Sequence, residues 1–374
     1  MPTPVFVTLA ARYAVFLAFC VITAGCSDRA QEAAALLSDI AAGEGPSQLK
    51  RDTPAPERRP IVYSGGFGDL YVSPEGTVAA LVLVPGLART GKDDPRLVAF
   101  ATSLARVRFA VLVPDVESLR ALKVRPADID TVADAALWLS SQAHLTGGQP
   151  VGIVAISYAA GPALLAASTA RARDQVGFVV SVGGYHDITE VVRFFTTGAY
   201  RLDGRWRHAE PNAYGKWVFV KSNAERLDDP ADQARLVAIA EAKLDDPAVD
   251  TSAAASQLGA EGKSVLALAG NTDRDRVAAL VAALPPAIRD DMAALDPSAA
   301  PLEAASARLI LIHGRDDTII PYSESIDLGR RLGDDRASLY LVDGLWHVDA
   351  DFSLYDRWVL WDAAIELLEH RDGL

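Results

Sequence analysis

From residue 61 onward, short runs of consecutive apolar residues alternate with longer segments in which apolar residues recur every three or four positions. The short runs are typical of strands buried on both faces, and the longer spacing is typical of helices. The runs predict strands over residues 61–63, 69–72, 78–84, 109–113, 151–156, 176–182, 308–313 and 338–342. The longer spacing predicts helices near residues 95–106, 127–143, 159–171, 323–332 and 354–369. This alternation predicts an α/β fold with a doubly wound, mostly parallel sheet.

One interval interrupts the alternation. Residues 187–305 contain aromatic and alanine-rich helical stretches separated by prolines, and only residues 264–269 could form a buried strand. A structureless loop of that length is not expected inside a compact domain. We therefore predict a core in two parts, residues 61–186 and 306–374, with a helical cap over residues 187–305 inserted between them.

The N-terminus has the pattern of a targeting segment. Arg12 precedes the apolar run YAVFLAFCVITAG, which is short for a membrane span and suits a signal peptide. The run ends at Thr23-Ala24-Gly25-Cys26, which resembles the lipobox of bacterial lipoproteins, with Thr23 where an aliphatic residue is usual. The resemblance implies a signal peptide over residues 1–25 and a lipid on Cys26. An ordinary cleaved signal peptide and an uncleaved anchor are the alternatives.

Residues 26–60 are interpreted as a lipidated tether. An alanine-rich stretch near residues 29–42 suggests a short helix, and the sequence after it is rich in proline, glycine and charge, with no apolar period. Lipidation of Cys26 would hold the protein on a membrane of the bacterial cell envelope, facing the periplasm or the exterior.

The composition excludes some classes of partner. Half of the residues are hydrophobic and the net charge is −13, which argues against nucleic-acid binding because that requires a basic face. The only cysteines are Cys20 and Cys26, so the body has neither a disulfide framework nor a thiolate metal site. Residues 193–226 are locally basic, which indicates either a solvated face or a surface for an anionic substrate group or anionic lipid. Trp206 and Trp217 could belong to the core of the cap or to a substrate platform.

The stretch VGIVAISYAAGPALLA, residues 151–166, contains the first candidate for chemistry. An apolar run ends on a lone hydroxyl, Ser157, and a helical pattern follows at once. A serine at this place could simply cap the helix. The segment Ala155-Ile156-Ser157-Tyr158-Ala159 resembles the nucleophile elbow of the α/β-hydrolase family, with alanine at both usual glycine positions. That resemblance implies that Ser157 is a nucleophile on a strained turn.

The same family places an acid and a histidine after the serine, in that order. Gly314-Arg315-Asp316-Asp317, followed by Pro321, resembles the family's acid turn and implies that Asp317 is the acid. Without that resemblance, the two aspartates would be an exposed pair in a polar turn. Asp187, at the end of the sixth predicted strand, is the alternative acid. His347 follows the last predicted strand, where the family's general base lies.

Two further assignments follow from the resemblance. Pro85-Gly86-Leu87-Ala88 resembles the family's oxyanion loop, so the backbone N–H groups of Leu87 and Tyr158 would hold the oxyanion. The resemblance implies no cofactor. The other histidines have no metal-binding spacing, so no metal is expected; they are His144, His186, His208, His313 and His370.

These motifs together predict a serine hydrolase of the esterase or lipase kind. It would cleave a carboxylic ester, or a related acyl bond, of a small molecule or lipid through an acyl-Ser157 intermediate. Two alternatives stay open: an acyltransferase that uses the same residues, and a non-catalytic binding module on a hydrolase scaffold.

Overall fold

The structure is a computed structural model that describes residues 28–345 and 353–373 of the 374-residue chain. Its strands are β1 Glu57–Tyr63, β2 Gly66–Val72, β3 Ala79–Val84, β4 Phe109–Pro114, β5 Val151–Ile156, β6 Val176–Val182, β7 Ala199–Leu202, β8 Arg205–His208, β9 Arg308–Gly314 and β10 Ala337–Val342. Its helices are α1 28–42, α2 Gln48–Asp52, α3 Pro95–Arg106, α4 Glu117–Arg120, α5 Ala127–Ser140, α6 Ala143–Thr146, α7 Ala160–Ser168, α8 Ile188–Thr197, α9 Ala213–Asn223, α10 Pro230–Asp245, α11 Ser252–Ser256, α12 Ala260–Ala269, α13 Val277–Ala282, α14 Pro286–Ala294, α15 Ser323–Leu332 and α16 Leu354–Asp372.

Eight strands form one twisted sheet in the order β1-β2-β4-β3-β5-β6-β9-β10. Strand β2 runs antiparallel to β1 and β4, and the other neighbouring pairs are parallel. This is the α/β-hydrolase fold, so the predicted fold class is confirmed. Each of the eight predicted strands lies in this sheet. The inner strands, such as β3 and β4, are buried on both faces and therefore leave an unbroken apolar run in the sequence.

Helices cover both faces of the sheet. Strands β3 and β4 are buried along their whole length. One hydrophobic cluster lies under α5 and α7, and a second lies under α1, α3 and α16. Because the parallel strands are locked between these layers, their carboxyl ends meet along one rigid edge, where ligand chemistry in open α/β sheets gathers.

The segment before β1 differs from the predicted tether. Helix α1 packs on the body with Ala33 and Leu36 buried, and Trp361 Nε1 donates to the carbonyl oxygen of Ala30 at 2.8 Å. Arg29 pairs with Asp372 at 3.0 Å. Residues 28–52 are therefore part of the folded body, since their apolar face completes the core beside α16. Cys26, and the rest of residues 1–27, lie outside the described residues.

Helices α8–α14 and the β7–β8 hairpin lie between β6 and β9 and build a hydrophobic cluster of their own. The possible strand at residues 264–269 was wrong, because these residues belong to α12, where Val265 and Leu268 face that cluster. The hairpin, which pairs Arg201 with Trp206, was not predicted. Within the described residues, no helix is both long enough and apolar enough to cross a membrane.

Candidate active site

The turn after β5 places Ser157 at the carboxyl edge of the sheet. Ser157 has a φ of +57°, one of four positive values at non-glycine residues in the described chain. A left-handed serine between a strand and a helix is strained, and this strain is typical of a nucleophile elbow. A serine that merely caps a helix has extended backbone and a side-chain bond to the first turn. Ser157 has neither feature, so simple capping does not explain it.

Small residues allow the strand and helix to cross closely at this turn. Ala155 and Ala159 are fully buried. A Cβ atom on Gly161 would lie 2.0 Å from the Tyr185 hydroxyl oxygen, which is hydrogen-bonded to the carbonyl oxygen of Leu295 in the inserted segment. Helix α7 can therefore lie against Tyr185 only because position 161 has no side chain.

The loop after β3 approaches Ser157 directly, because β3 and β5 are neighbours in the sheet. A Cβ atom on Gly86 would lie 3.3 Å from the Ile156 carbonyl oxygen and 3.7 Å from Ser157 Cβ. The next residue, Leu87, donates no hydrogen bond through its backbone N–H to any residue in the described ranges. Tyr158 N–H belongs to the first turn after the strand, where helical N–H groups have no internal partner. Both N–H groups are available to a ligand beside Ser157.

Asp317 lies in the turn after β9 and is buried, with 4% of its surface exposed. Its Oδ1 accepts from the backbone N–H groups of Ile319 at 2.7 Å and Ile320 at 3.0 Å. Its Oδ2 is buried and has no hydrogen-bond partner among the described residues. A carboxylate with one oxygen anchored and the other unoccupied is ready to accept a further donor, because an unpaired buried oxygen is costly.

The imidazole ring of His313 packs against this carboxylate. The ring is fully buried, with Nδ1 2.7 Å from Ser325 Oγ and Nε2 3.0 Å from the Ile320 carbonyl oxygen. Because only a protonated nitrogen can bond a carbonyl, Nε2 carries the proton and Nδ1 accepts from the serine. Nε2 also lies 3.4 Å from Asp317 Oδ2, but its proton is directed to the Ile320 carbonyl oxygen, so this oxygen still has no hydrogen-bond donor among the described residues.

Two strands separate the serine from the candidate base. His347 lies outside the described residues, but the chain on both sides of it is described. A Cβ atom on Gly314 would lie 3.2 Å from Leu345 Cβ, and Asp343 N donates to Asp356 Oδ1 at 3.0 Å. The described chain therefore leaves β10 beside the turn that holds Asp317, and it resumes at the start of α16, on the edge of the sheet that carries Ser157.

Asp187, the alternative acid, caps the helix that follows it. Its Oδ1 accepts from Thr189 N at 2.8 Å and Glu190 N at 3.2 Å, so it caps α8. The positive end of a helix stabilises such a carboxylate. Oδ1 of each aspartate thus accepts from two backbone N–H groups, and the two residues differ in burial: Asp317 Oδ2 is buried, whereas Asp187 is partly exposed.

The inserted segment touches the loop after β3 through Tyr214, at the start of α9. The Tyr214 hydroxyl donates to the Leu87 carbonyl oxygen at 3.1 Å. Burial raises the pKa of Tyr214, so the phenol keeps its proton and remains a donor. Asn212 N also donates to the Thr318 carbonyl oxygen at 2.8 Å, next to Asp317. Sequence reasoning missed Tyr214, since no local pattern marks a contact across 127 residues.

A second buried carboxyl group stabilises the loops at the carboxyl edge of the sheet. Glu324 of α15 accepts from the N–H groups of His186 at 3.0 Å and Asp187 at 2.7 Å. Burial raises the pKa of Glu324 to about 8. The group therefore holds a proton at neutral pH and ties α15 to the loop after β6. A glutamate in the first turn of a helix gave no sequence signal for this role.

The basic segment has structural partners. The guanidinium carbons of three arginines lie 4.6–5.5 Å from the centroid of the Trp206 ring; they are Arg193, Arg201 and Arg274. Arg193 also donates to the Arg274 carbonyl oxygen at 2.5 Å and pairs with Glu190. Trp217 packs against the cluster of the inserted segment. No group of metal-ligating side chains occurs in residues 28–345 or 353–373.

The sequence matches no protein-family model and no curated protein. The chain is similar to several solved structures. An esterase of Pyrococcus furiosus is 13% identical with a TM-score of 0.46, over 88% of this chain and 96% of that chain. A dienelactone hydrolase from Anabaena variabilis is 15% identical with a TM-score of 0.44, over 85% and 99%. The acylaminoacyl peptidase of Pyrococcus horikoshii is 11% identical with a TM-score of 0.46, over 86% of this chain and only 42% of that chain. Likenesses of this size transfer no activity to this chain.

Proposed function

We propose that this protein is a serine hydrolase that cleaves a carboxylic ester through an acyl-Ser157 intermediate. The observation that carries the proposal is the left-handed Ser157 at the carboxyl end of β5, with the Gly86 backbone against it. A strained serine is retained only where the surrounding structure holds it in place, and such strain clusters at functional sites.

Each partner in the proposed reaction has one role. His347 removes the proton from Ser157 Oγ as the hydroxyl attacks the ester carbonyl, and later returns it to the leaving alcohol. Asp317 accepts the other ring N–H, which fixes the tautomer of His347 and stabilises its charged form. The N–H groups of Leu87 and Tyr158 hold the negative oxygen of the tetrahedral intermediate. Water then releases the acyl group by the same steps.

The arrangement of the strands supports this assignment. Strands β5 and β9 are separated only by β6, so their ends lie about 10 Å apart at the usual spacing. An imidazole can bridge such a gap between a serine and a carboxylate. Leu345, two residues before His347, contacts Gly314, which is three residues before Asp317. The unoccupied Asp317 Oδ2 is the acceptor that this bridge requires.

Labelling with a fluorophosphonate probe tests the nucleophile. The wild-type protein should become covalently labelled, and Ser157→Ala should abolish labelling and lower ester turnover on the order of 10⁶-fold. Ser168→Ala is the matched control, since Ser168 lies on the following helix and its hydroxyl donates to the Leu164 carbonyl oxygen. Full labelling of the Ser157 variant would refute the assignment. Product analysis with and without added alcohol separates hydrolysis from acyl transfer.

The enzyme is held at the bacterial cell envelope by a lipid on Cys26. The support is the small-residue site Thr23-Ala24-Gly25-Cys26 after an apolar run. Mass spectrometry of the N-terminal peptide tests it, and Cys26→Ser should move the activity from the membrane fraction to the soluble fraction without changing the rate per molecule. An unlipidated wild-type protein that begins at residue 27 or later would contradict the anchor.

A further inference from the structure

Arg89 is a cation without a protein partner beside the candidate active site. It is exposed in the loop after β3, two residues after Leu87, and its side chain has no ion pair or hydrogen bond with any residue in the described ranges. Asp93 and Asp94 follow closely in the chain, but they pair with other cations. The other lysines and arginines of residues 85–120 all have a carboxylate or carbonyl partner; they are Lys92, Arg96, Arg106, Arg108 and Arg120. The guanidinium of Arg89 is therefore available to a ligand.

The backbone on both sides of Arg89 is held in place. After it, Gly91 N donates to the Ala88 carbonyl oxygen at 2.9 Å, and Gly91 has a φ of +51°, which favours glycine. Before it, the Leu87 carbonyl oxygen accepts from the Tyr214 hydroxyl at 3.1 Å. A charged side chain on a fixed turn loses less conformational freedom when it binds a ligand than one on a mobile loop does. This turn is therefore suited to present a cation to a substrate.

The chain places Arg89 close to an ester bound at Ser157. A Cβ atom on Gly86 would lie 3.7 Å from Ser157 Cβ. Arg89 is three residues after Gly86, so the Cα atoms of these two residues are at most about 11 Å apart in any conformation. Burial raises the pKa of Tyr214, and the positive charge of Arg89 acts in the opposite direction. The guanidinium thus lies near the phenol that bonds to Leu87, on the side of the loop that the inserted segment covers.

We infer that Arg89 binds a carboxylate group of the substrate, so that the ester cleaved at Ser157 is an anionic one. A guanidinium binds a carboxylate through two parallel N–H···O bonds. The turn offers one positive charge, because Lys92 and Arg96 already pair with carboxylates. One charge matches a carboxylate better than a phosphate monoester, which carries nearly two negative charges at neutral pH. The inference rests on the proposed function, and it makes Arg89 a specificity-determining residue that takes no part in bond making or breaking.

Two pairs of esters that differ only in one carboxylate test the inference. Mono-4-nitrophenyl glutarate and its methyl ester carry or lack the charge on the acyl part. 4-Carboxyphenyl butyrate and its methyl ester carry or lack it on the alcohol part. The value of kcat/KM for each ester is measured with the wild-type protein, Arg89→Gln and Arg96→Gln. Arg96→Gln is the matched control, because it removes the same charge seven residues later from a guanidinium that pairs with Asp94.

The wild-type protein should prefer the anionic ester in at least one pair. Arg89→Gln should raise KM for that ester by about 5- to 50-fold and leave kcat and the neutral ester unchanged, because the carboxylate is bound equally in the ground state and the transition state.

Two results would overturn the inference and leave the serine hydrolase intact. One is a wild-type protein that fluorophosphonate labels and that cleaves both members of each pair equally well. The other is a preference for the anionic ester that Arg89→Gln leaves unchanged, or that Arg96→Gln reduces as much as Arg89→Gln does. A wild-type protein that is neither labelled nor active on any of the four esters would refute the proposed function, and the inference with it.

Discussion

Replacing Tyr214 with phenylalanine should slow the proposed reaction by about 2- to 13-fold and leave KM unchanged. The change removes the hydrogen bond from the Tyr214 hydroxyl to the Leu87 carbonyl oxygen and keeps the ring. A neutral hydrogen bond contributes about 0.5–1.5 kcal/mol, and 1.4 kcal/mol is tenfold in rate. The effect should appear in kcat, because the bond holds the loop whose N–H meets the oxyanion. Complete loss of an oxyanion donor would cost more, about 10²–10³-fold.

The assay for Tyr214→Phe combines steady-state hydrolysis of p-nitrophenyl butyrate with the second-order rate of fluorophosphonate inactivation. The two rates should fall together, since both reactions place negative charge on an oxygen at the same position. Tyr200→Phe is the matched control, because it removes a hydroxyl of the inserted segment whose ring lies beside Tyr322, 6.0 Å between centroids, instead of beside Leu87. Unchanged kcat with a raised KM would show that Tyr214 contacts substrate. A loss above 100-fold would show that the phenol itself binds the oxyanion. Either result would refute the positioning role.

Three other substitutions have expected outcomes. Asp317→Asn should lower kcat by roughly 10³–10⁴ by favouring the wrong histidine tautomer, whereas Asp187→Asn should change kcat little. A larger loss in the Asp187 variant than in the Asp317 variant would assign the acid to the loop after β6. Burial raises the pKa of Glu324 to about 8 in the folded protein, whereas the same carboxyl in the unfolded chain ionises at its ordinary pKa of about 4.5. The free energy of unfolding of the wild type therefore falls as the pH rises from about 4.5 through 8. Glu324→Gln should remove that fall. In urea unfolding at pH 5, 6.5 and 8, the free energy of unfolding of the variant relative to the wild type should increase with pH. A difference that is the same at all three pH values would contradict the raised pKa. Gly161→Ala should destabilise by about 1–3 kcal/mol in urea unfolding, because the new Cβ meets the Tyr185 hydroxyl; an unchanged or higher unfolding midpoint would show that Tyr185 moves aside.

The sheet could be predicted because each buried strand leaves a recognisable pattern within its own short stretch of sequence. Strands such as β3 and β5 are buried on both faces, so nearly every residue in them must be apolar, and the run is visible in one dimension. The turn at Ser157 could be predicted for a similar reason. Ala155 and Ala159 must be small for the strand and helix to cross, and that requirement leaves a short motif of fixed spacing.

The described N-terminal segment and the hairpin were not predictable in this way. Most apolar positions of residues 28–52 are alanines, and their packing depends on a partner surface on α16 that is over 300 residues distant in sequence. The β7–β8 hairpin is short and largely polar, and arginines from three elements stack on its Trp206. The proline and glycine content of residues 26–60 indicated a flexible tether, but tertiary packing holds the described part of this segment against the body.

The sequence by itself determined the order of the eight strands of the main sheet along the chain, the motif around Ser157 and two candidate acids. It could not choose between those acids, because Asp187 and Asp317 both follow neighbouring strands. Tertiary structure decided what each carboxylate does: Asp187 caps α8, and Asp317 keeps one buried oxygen unoccupied. It also brought Tyr214 to Leu87. Contacts of this kind join segments that are distant in the chain, so no local spacing can encode them, and only the packed fold gives each side chain its partner.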